Sequence, residues 1–266
     1  MIESIVNLNE IREVTTITAV REHVEALKTN VLVAIDIDET MLKSAQFFGS
    51  SCWSYAYLDK LKKKYNCHKT AFEKTMEKYI YAQMHTQIDP VEGSTTQEFI
   101  NYLHDAGHKV VYVTARGREI AEITEQQLTR INIRFNHTPE FKNHHIDLTQ
   151  HVIESHAANG IIYAHGGDKG LCLEKYLESI NCTESFQHII AIDDKNPHLQ
   201  ELSKAAERLG KNFTGFRYGA LDHTLIDVNL EIGKIQFMEH LSAQGNKQFL
   251  TDAEARQLLS NAQSSY

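Results

Sequence analysis

The sequence predicts an α/β fold, a doubly wound parallel sheet with a helical insertion. Two observations lead there. Short apolar runs without polar alternation recur along the chain, "VLVAI", "KVVYV", "GIIYA" and "HIIAI", as expected of strands buried on both faces. Helical patterns alternate with them, and β-then-α alternation favours a parallel sheet with right-handed crossovers.

Taken in order, "TAVREHVEALK" spaces Val20, Val24 and Leu27 along one side of a short amphipathic helix that would cover the sheet. The run over 31–35 follows as the first strand. From 43 to 88 the chain turns aromatic and charged with helical periodicity and no strong strand candidate, which reads as a helical insertion. A proline-marked turn at "DPVEG" then precedes a helix ending near Gly107, a strand over 109–113 and a further helix. "GIIYAHGG" and "HIIAIDD" give strands ending near Ala164 and at Asp193, each followed by a helix, "LCLEKYLESI" and "HLQELSKAAERLG". "NFTGFRYG" adds a strand, and "NKQFLTDAEARQLLSNAQSSY" reads as a capped helix with a frayed polar end. There is no internal repeat. The expected domains are an α/β core of 1–42 with 89–266, and the insertion 43–88.

Composition narrows the function. With 42% hydrophobic residues in 266, a real core is available. Lys and Arg number 27 against 35 Asp and Glu, a net charge of −8, without a long basic run. Nucleic acid is therefore not an expected partner. No apolar stretch approaches the roughly 20 residues of a membrane span, and the N-terminus lacks a basic-then-apolar leader, so no membrane partner and a cytoplasmic location are expected. Cys52, Cys67, Cys172 and Cys182 show no zinc-like spacing and read as reduced, mostly buried thiols. The adjacent His144 and His145 lack the i, i+4 spacing of helical ligands.

The chemistry lies where the strands end. In an open α/β sheet ligands gather beyond the carboxyl ends of the strands. Those ends bring Asp36 and Asp38, Thr114, Lys169, and Asp193 with Asp194. Alternation puts Asp36 and Asp38 on one face, an arrangement that is costly without a cation. Carboxylates with one hydroxyl and one ammonium suit a hard cation and a phosphoryl group. Neither an EF-hand nor a P-loop fits: positions six and twelve from Asp36 are Met41 and Phe47, and "GGDKG" lacks the phosphate-loop spacing.

Over most of the chain, from 31 to 196, the sequence resembles the haloacid dehalogenase-like superfamily. "DIDET" is similar to its first motif, "VYVTARG" to its second, "GGDKG" to its third and "IIAIDD" to its fourth. That resemblance implies a Rossmann-like core with a C1-type cap at 43–88. It implies a Mg²⁺-dependent phosphatase that passes through an aspartyl-phosphate. Asp36 would be the nucleophile and Asp38 the acid/base. Thr114, the Ala115 amide and Lys169 would bind phosphate, and Asp36, the Asp38 carbonyl, Asp193 and Asp194 would hold the metal. The expected substrate is a small phosphorylated molecule, with a phosphoprotein as an alternative. Phosphoryl transfer to another acceptor and an effector role with little activity are the rival readings. "DIDET" is also close to the motif of bacterial acid phosphatases of this superfamily. Phe47, Phe48, Trp53 and Tyr55 read as packing the insertion onto the body.

Overall fold

The computed structural model describes residues 9–224, 228–245 and 248–264. The frayed end expected beyond 264, and residues 1–8 of the stretch read for a leader, lie outside these. Contacts divide the chain into two compact units, one of residues 1–41 with 90–220 and one of residues 42–89 with 221–266. The sequence reading assigned everything after 89 to the α/β core. The last stretch instead groups with the insertion.

The first unit is built on an eight-stranded sheet. Its elements are β1 (Asn9–Val14), α1 (Ile17–Leu27), β2 (Leu32–Ile35), and then, after the chain has passed through β3 (Leu42–Ser44), α2 (Ser51–Tyr65), α3 (His68–His85) and β4 (Ile88–Pro90), α4 (Ser94–Asp105). It continues with β5 (Lys109–Thr114), α5 (Ala121–Arg130), β6 (His145–Asp147), β7 (His156–Ala158), β8 (Ile161–Tyr163) and α6 (Lys169–Ser179). It closes with β9 (His188–Asp193), α7 (Asn196–Arg208) and β10 (Asn212–Tyr218). The strand order is β1-β10-β9-β2-β5-β8-β7-β6. Six strands, β1 to β8 in that order, run parallel, and β7 and β6 continue antiparallel from β8.

Both faces of the parallel block are covered, which is why its strands are apolar throughout. On one face Leu32, Ala34, Val111, Val113, Ile189 and Ala191 form a core with Cys172, Leu173, Tyr176 and Leu177 of α6 and Leu199, Leu202 and Ala206 of α7. The alternate residues Val33, Ile35, Val110, Tyr112, Ile190 and Ile192 are equally inaccessible. Helices α1 and α4 pack together, and α4 packs on β5. Each such side chain contributes about 1.5–3 kcal/mol of burial, so a polar residue in these runs would be expensive. The order in which strands are added reverses at β2, since β5 and β8 lie to one side of it and β9 and β10 to the other. A crevice forms at such a point, beyond the carboxyl ends of β2 and β9.

The second unit holds the β3–β4 ribbon, the α2–α3 hairpin, and two C-terminal helices, α8 (Leu230–Ser242) and α9 (Asp252–Ser264). A capping box starts α9: Thr251 Oγ1 accepts from the Glu254 amide at 3.3 Å while Glu254 Oε2 accepts from the Thr251 amide at 2.8 Å. Phe48 is buried and packs edge-on against Trp53 and Phe249. Gln236 Oε1 accepts from its amide at 3.0 Å. Thus Phe48 and Trp53 do pack the insertion, but onto the C-terminal helices of their own unit. Tyr55, by contrast, is 55% exposed.

Candidate active site

Asp36 follows β2 directly, and its amide donates to the Ile192 carbonyl of β9 at 2.9 Å, so the backbone carries the sheet's pairing one step further. Lys169 opens α6, where Asp168 caps the helix by accepting from the Leu171 amide at 2.8 Å. The Lys169 amide donates to Glu201 Oε2 of α7 at 3.0 Å. Gly170 lets the two helices meet, since a Cβ there would lie 2.0 Å from the Glu201 carbonyl oxygen.

This framework aims the Lys169 ammonium between two carboxylates, 2.6 Å from Asp36 Oδ1 and 2.7 Å from Asp193 Oδ2. All three side chains are buried. Thr40, the last residue of "DIDET", donates to Asp36 Oδ2 at 3.1 Å. Asp193 Oδ1 accepts from the Lys195 amide at 2.8 Å, and His198 Nδ1 lies 3.1 Å from the same oxygen. Asp194 faces Lys195 at 3.8 Å.

Asp38 points to a different partner. Arg116 grips it with two parallel hydrogen bonds, Nε to Oδ2 and Nη2 to Oδ1, both 2.8 Å. The third guanidinium nitrogen, Nη1, donates to Thr124 Oγ1 at 2.9 Å and Gln127 Oε1 at 2.7 Å, anchoring the arginine on α5. Thr114 ends β5, next to β2 in the sheet, and its hydroxyl oxygen accepts from the Arg116 amide at 3.1 Å. Ala115 is exposed.

Of the residues expected from sequence, Asp36, Lys169 and Asp193 are in direct contact. Asp194 is close enough to share a ligand with Asp36 and Asp193. Asp38 and Thr114 are joined through Arg116. Sequence reasoning assigned no role to Arg116, Thr40, His198 or Glu201. Arg116 and Thr40 stood inside the quoted motifs, whereas His198 had only the weak signal of lying one helical turn past Asp194.

The protonation states follow from this arrangement. Burial pushes the Asp36 carboxyl up to about 6 against the pull of Lys169. Burial and the neighbouring Asp36 push Asp194 up to about 8. Burial opposes ionisation of Asp193 too, but Lys169 and His198 outweigh it and bring it to about 2. Asp38 is lowered, because the Arg116 fork outweighs burial. Four carboxylates meet three cations, Lys169, Arg116 and Lys195, and the deficit appears as the raised Asp36 and Asp194.

One oxygen from each of Asp36, Asp193 and Asp194 can be chosen so that all lie within 4.8 Å of one another. An octahedral hard cation with oxygens at ~2.1 Å spans ~4.2 Å between opposite ligands. The donor type, the spread and the missing positive charge all fit a divalent cation. Among the described residues no other group of three His, Cys, Asp or Glu is placed to hold a metal. His144 and His145 belong to no such group.

The molecule so defined is an α/β protein with a lysine-bridged carboxylate site at the carboxyl edge of its parallel strands. It belongs to the family described as "Protein of unknown function (DUF2608)", whose model matches residues 13–255. The chain is 23% identical over 191 residues to a protein of Chlamydia pneumoniae described as "Putative outer membrane protein", covering 72% of this chain and 70% of that one. No solved structure matches. Among the described residues no helix is long and apolar enough to cross a membrane.

Proposed function

We propose that this chain is a phosphatase of the haloacid dehalogenase-like type, hydrolysing a phosphomonoester through an aspartyl-phosphate on Asp36, with a divalent cation, Mg²⁺, as cofactor. The observation that carries the reading is the Lys169 ammonium held between Asp36 and Asp193 at 2.6 and 2.7 Å. Added support comes from the four motif-like segments, which lie at or beyond the carboxyl ends of β2, β5, β8 and β9, a contiguous parallel block.

Asp36 attacks phosphorus with the oxygen that Lys169 does not hold, while the ammonium keeps the attacking carboxylate ionised as the crowded phosphoryl oxygens approach. The bond from phosphorus to the leaving oxygen breaks, and that oxygen takes a proton from Asp38. A water then attacks the aspartyl-phosphate, giving its proton to Asp38 and releasing phosphate and Asp36. Thr114 and the Ala115 amide would orient the phosphoryl oxygens. The Asp36, Asp193 and Asp194 carboxylates, with the Asp38 carbonyl, would hold the cation, which supplies charge neutralisation at the transferring phosphoryl group.

Purified protein assayed on an aryl phosphate provides the test. Phosphate release should require Mg²⁺, stop on chelation, and vanish in Asp36→Asn together with acid-stable label on the protein. Turnover that persists in Asp36→Asn would end the covalent mechanism.

A further inference from the structure

The net charge of −8 conceals a segregated segment in the second unit. Residues 60–78 hold seven lysines and no arginine against two glutamates, a net charge of +5. They form the end of α2, the turn at Asn66 and Cys67, and the first half of α3. Residues 63–69 are all exposed. Around the turn stand Lys62, Lys63, Lys64, Lys69 and Lys74, with two exposed rings, Tyr65 and Phe72.

We infer that this turn is a docking tip for an anionic lipid surface. Five lysines at one hairpin end, Lys63 among them paired with Asp59 at 2.9 Å, match the charge of a bilayer bearing acidic headgroups, and clusters of this size are attracted to such surfaces. A tyrosine among them suits the headgroup level, where an amphipathic ring has one end apolar and one end wet. The geometry disfavours single-stranded nucleic acid, which needs an open aromatic face for base stacking. The Lys64 and Lys74 ammoniums lie over the Tyr65 ring at 5.3 and 5.9 Å, and the Phe72 ring is stacked on His68 at 6.4 Å.

The full chain is tested by co-sedimentation with mixed phosphatidylglycerol–phosphatidylcholine vesicles, with phosphatidylcholine alone as the neutral control. Binding is expected only to the mixed vesicles, at low salt, and is lost as salt screens the lysines. Each lysine at the surface is worth about five-fold, corresponding to ~1 kcal/mol, so Lys62→Gln, Lys63→Gln and Lys64→Gln together should weaken binding about 100-fold. Lys69→Gln with Lys74→Gln, on the other helix, should weaken it about 25-fold. Lys63, Lys64, Lys69 and Lys74 are exposed and Lys62 is half-buried, and unchanged circular dichroism confirms that both variants fold. Absence of binding at low salt, equal binding to neutral vesicles, or unaltered binding by both variants overturns the proposal. So does binding of a single-stranded oligonucleotide at this tip in place of vesicles.

Discussion

Arg116 divides its guanidinium between gripping Asp38 and holding on to Thr124 and Gln127. The fork favours the ionised form of Asp38, which is ready to accept a proton from water, and opposes the protonated form that the proposed first step draws on. In the acid role proposed for it, loss of Asp38 should cost more with an alkyl phosphate, whose alkoxide needs the proton, than with an aryl phosphate. Asp38→Asn is expected to slow the alkyl substrate by roughly 10²- to 10⁴-fold, and equal losses on both substrates would count against the acid role. Arg116→Lys replaces a bidentate fork by a point charge. Losing one charge-assisted hydrogen bond, worth about 1.5–3 kcal/mol, should lower kcat/KM about 10- to 100-fold. Lys169 is a second residue whose removal has a definite sign. It is 1% exposed, and Lys169→Met would leave Asp36 and Asp193 buried without their ammonium, at a cost of about 3–5 kcal/mol. Urea denaturation should show that loss, partly restored by added Mg²⁺; an unchanged midpoint would refute the pairing.

At the scale of elements, legibility followed burial. The strands β2, β5 and β9 were readable within a residue or so because both their faces are covered, which forces an unbroken apolar run. By contrast β1 reads "NEIREV" and is mostly exposed at the sheet edge, so nothing in its composition separates it from a loop. Three-residue strands such as β6 and β7 are too short to show a period. The site was legible in its carboxylates, placed at or just past the end of a strand, and in Lys169, which opens the helix after β8. Arg116 was not assigned, because its pairing with Asp38 spans 78 positions and depends on β5 lying beside β2. The α6–α7 contact carries the sharpest prediction at this scale. Gly170→Ala gains up to ~1 kcal/mol of helix propensity, yet its Cβ would meet the Glu201 backbone, which cannot swing aside as a side chain does. Overpacking of that kind costs typically 1–3 kcal/mol, so the clash wins. The variant should melt lower and, because Lys169 is the adjacent residue, lose turnover beyond what the stability change explains. A melting temperature at or above that of the parent would show that α6 and α7 adjust freely.

For the molecule as a whole, buried histidines and the carboxylates of the candidate site pull the response to mild acid in opposite directions. His23, His104, His108, His156 and His188 are buried or half-buried, and burial is the first cause holding each below its ordinary value. His156, stacked on Tyr163 with ring centroids 4.6 Å apart, is brought down to about 4. A histidine lowered in the fold stays neutral there while the unfolded chain takes up a proton near 6.5. Between those two values the unfolded state binds more protons, so stability rises with pH. It is complete above about 6.5 and declines as pH falls toward 4. Two buried carboxylates run the other way. Asp36 and Asp194, raised to about 6 and about 8, bind protons in the fold that the unfolded chain releases near 3.8. Over the acid window these two carboxylates oppose the histidine slope, so that slope is read with both of them removed. Urea unfolding of the chelated Asp36→Asn, Asp194→Asn variant is therefore expected to show a midpoint that climbs from pH 4.5 to 6.5. His156→Phe, which keeps a ring against Tyr163 and removes the titration, should flatten that climb measurably. A midpoint independent of pH over the interval, or one that falls, would mean that the histidines already carry protons in the folded chain.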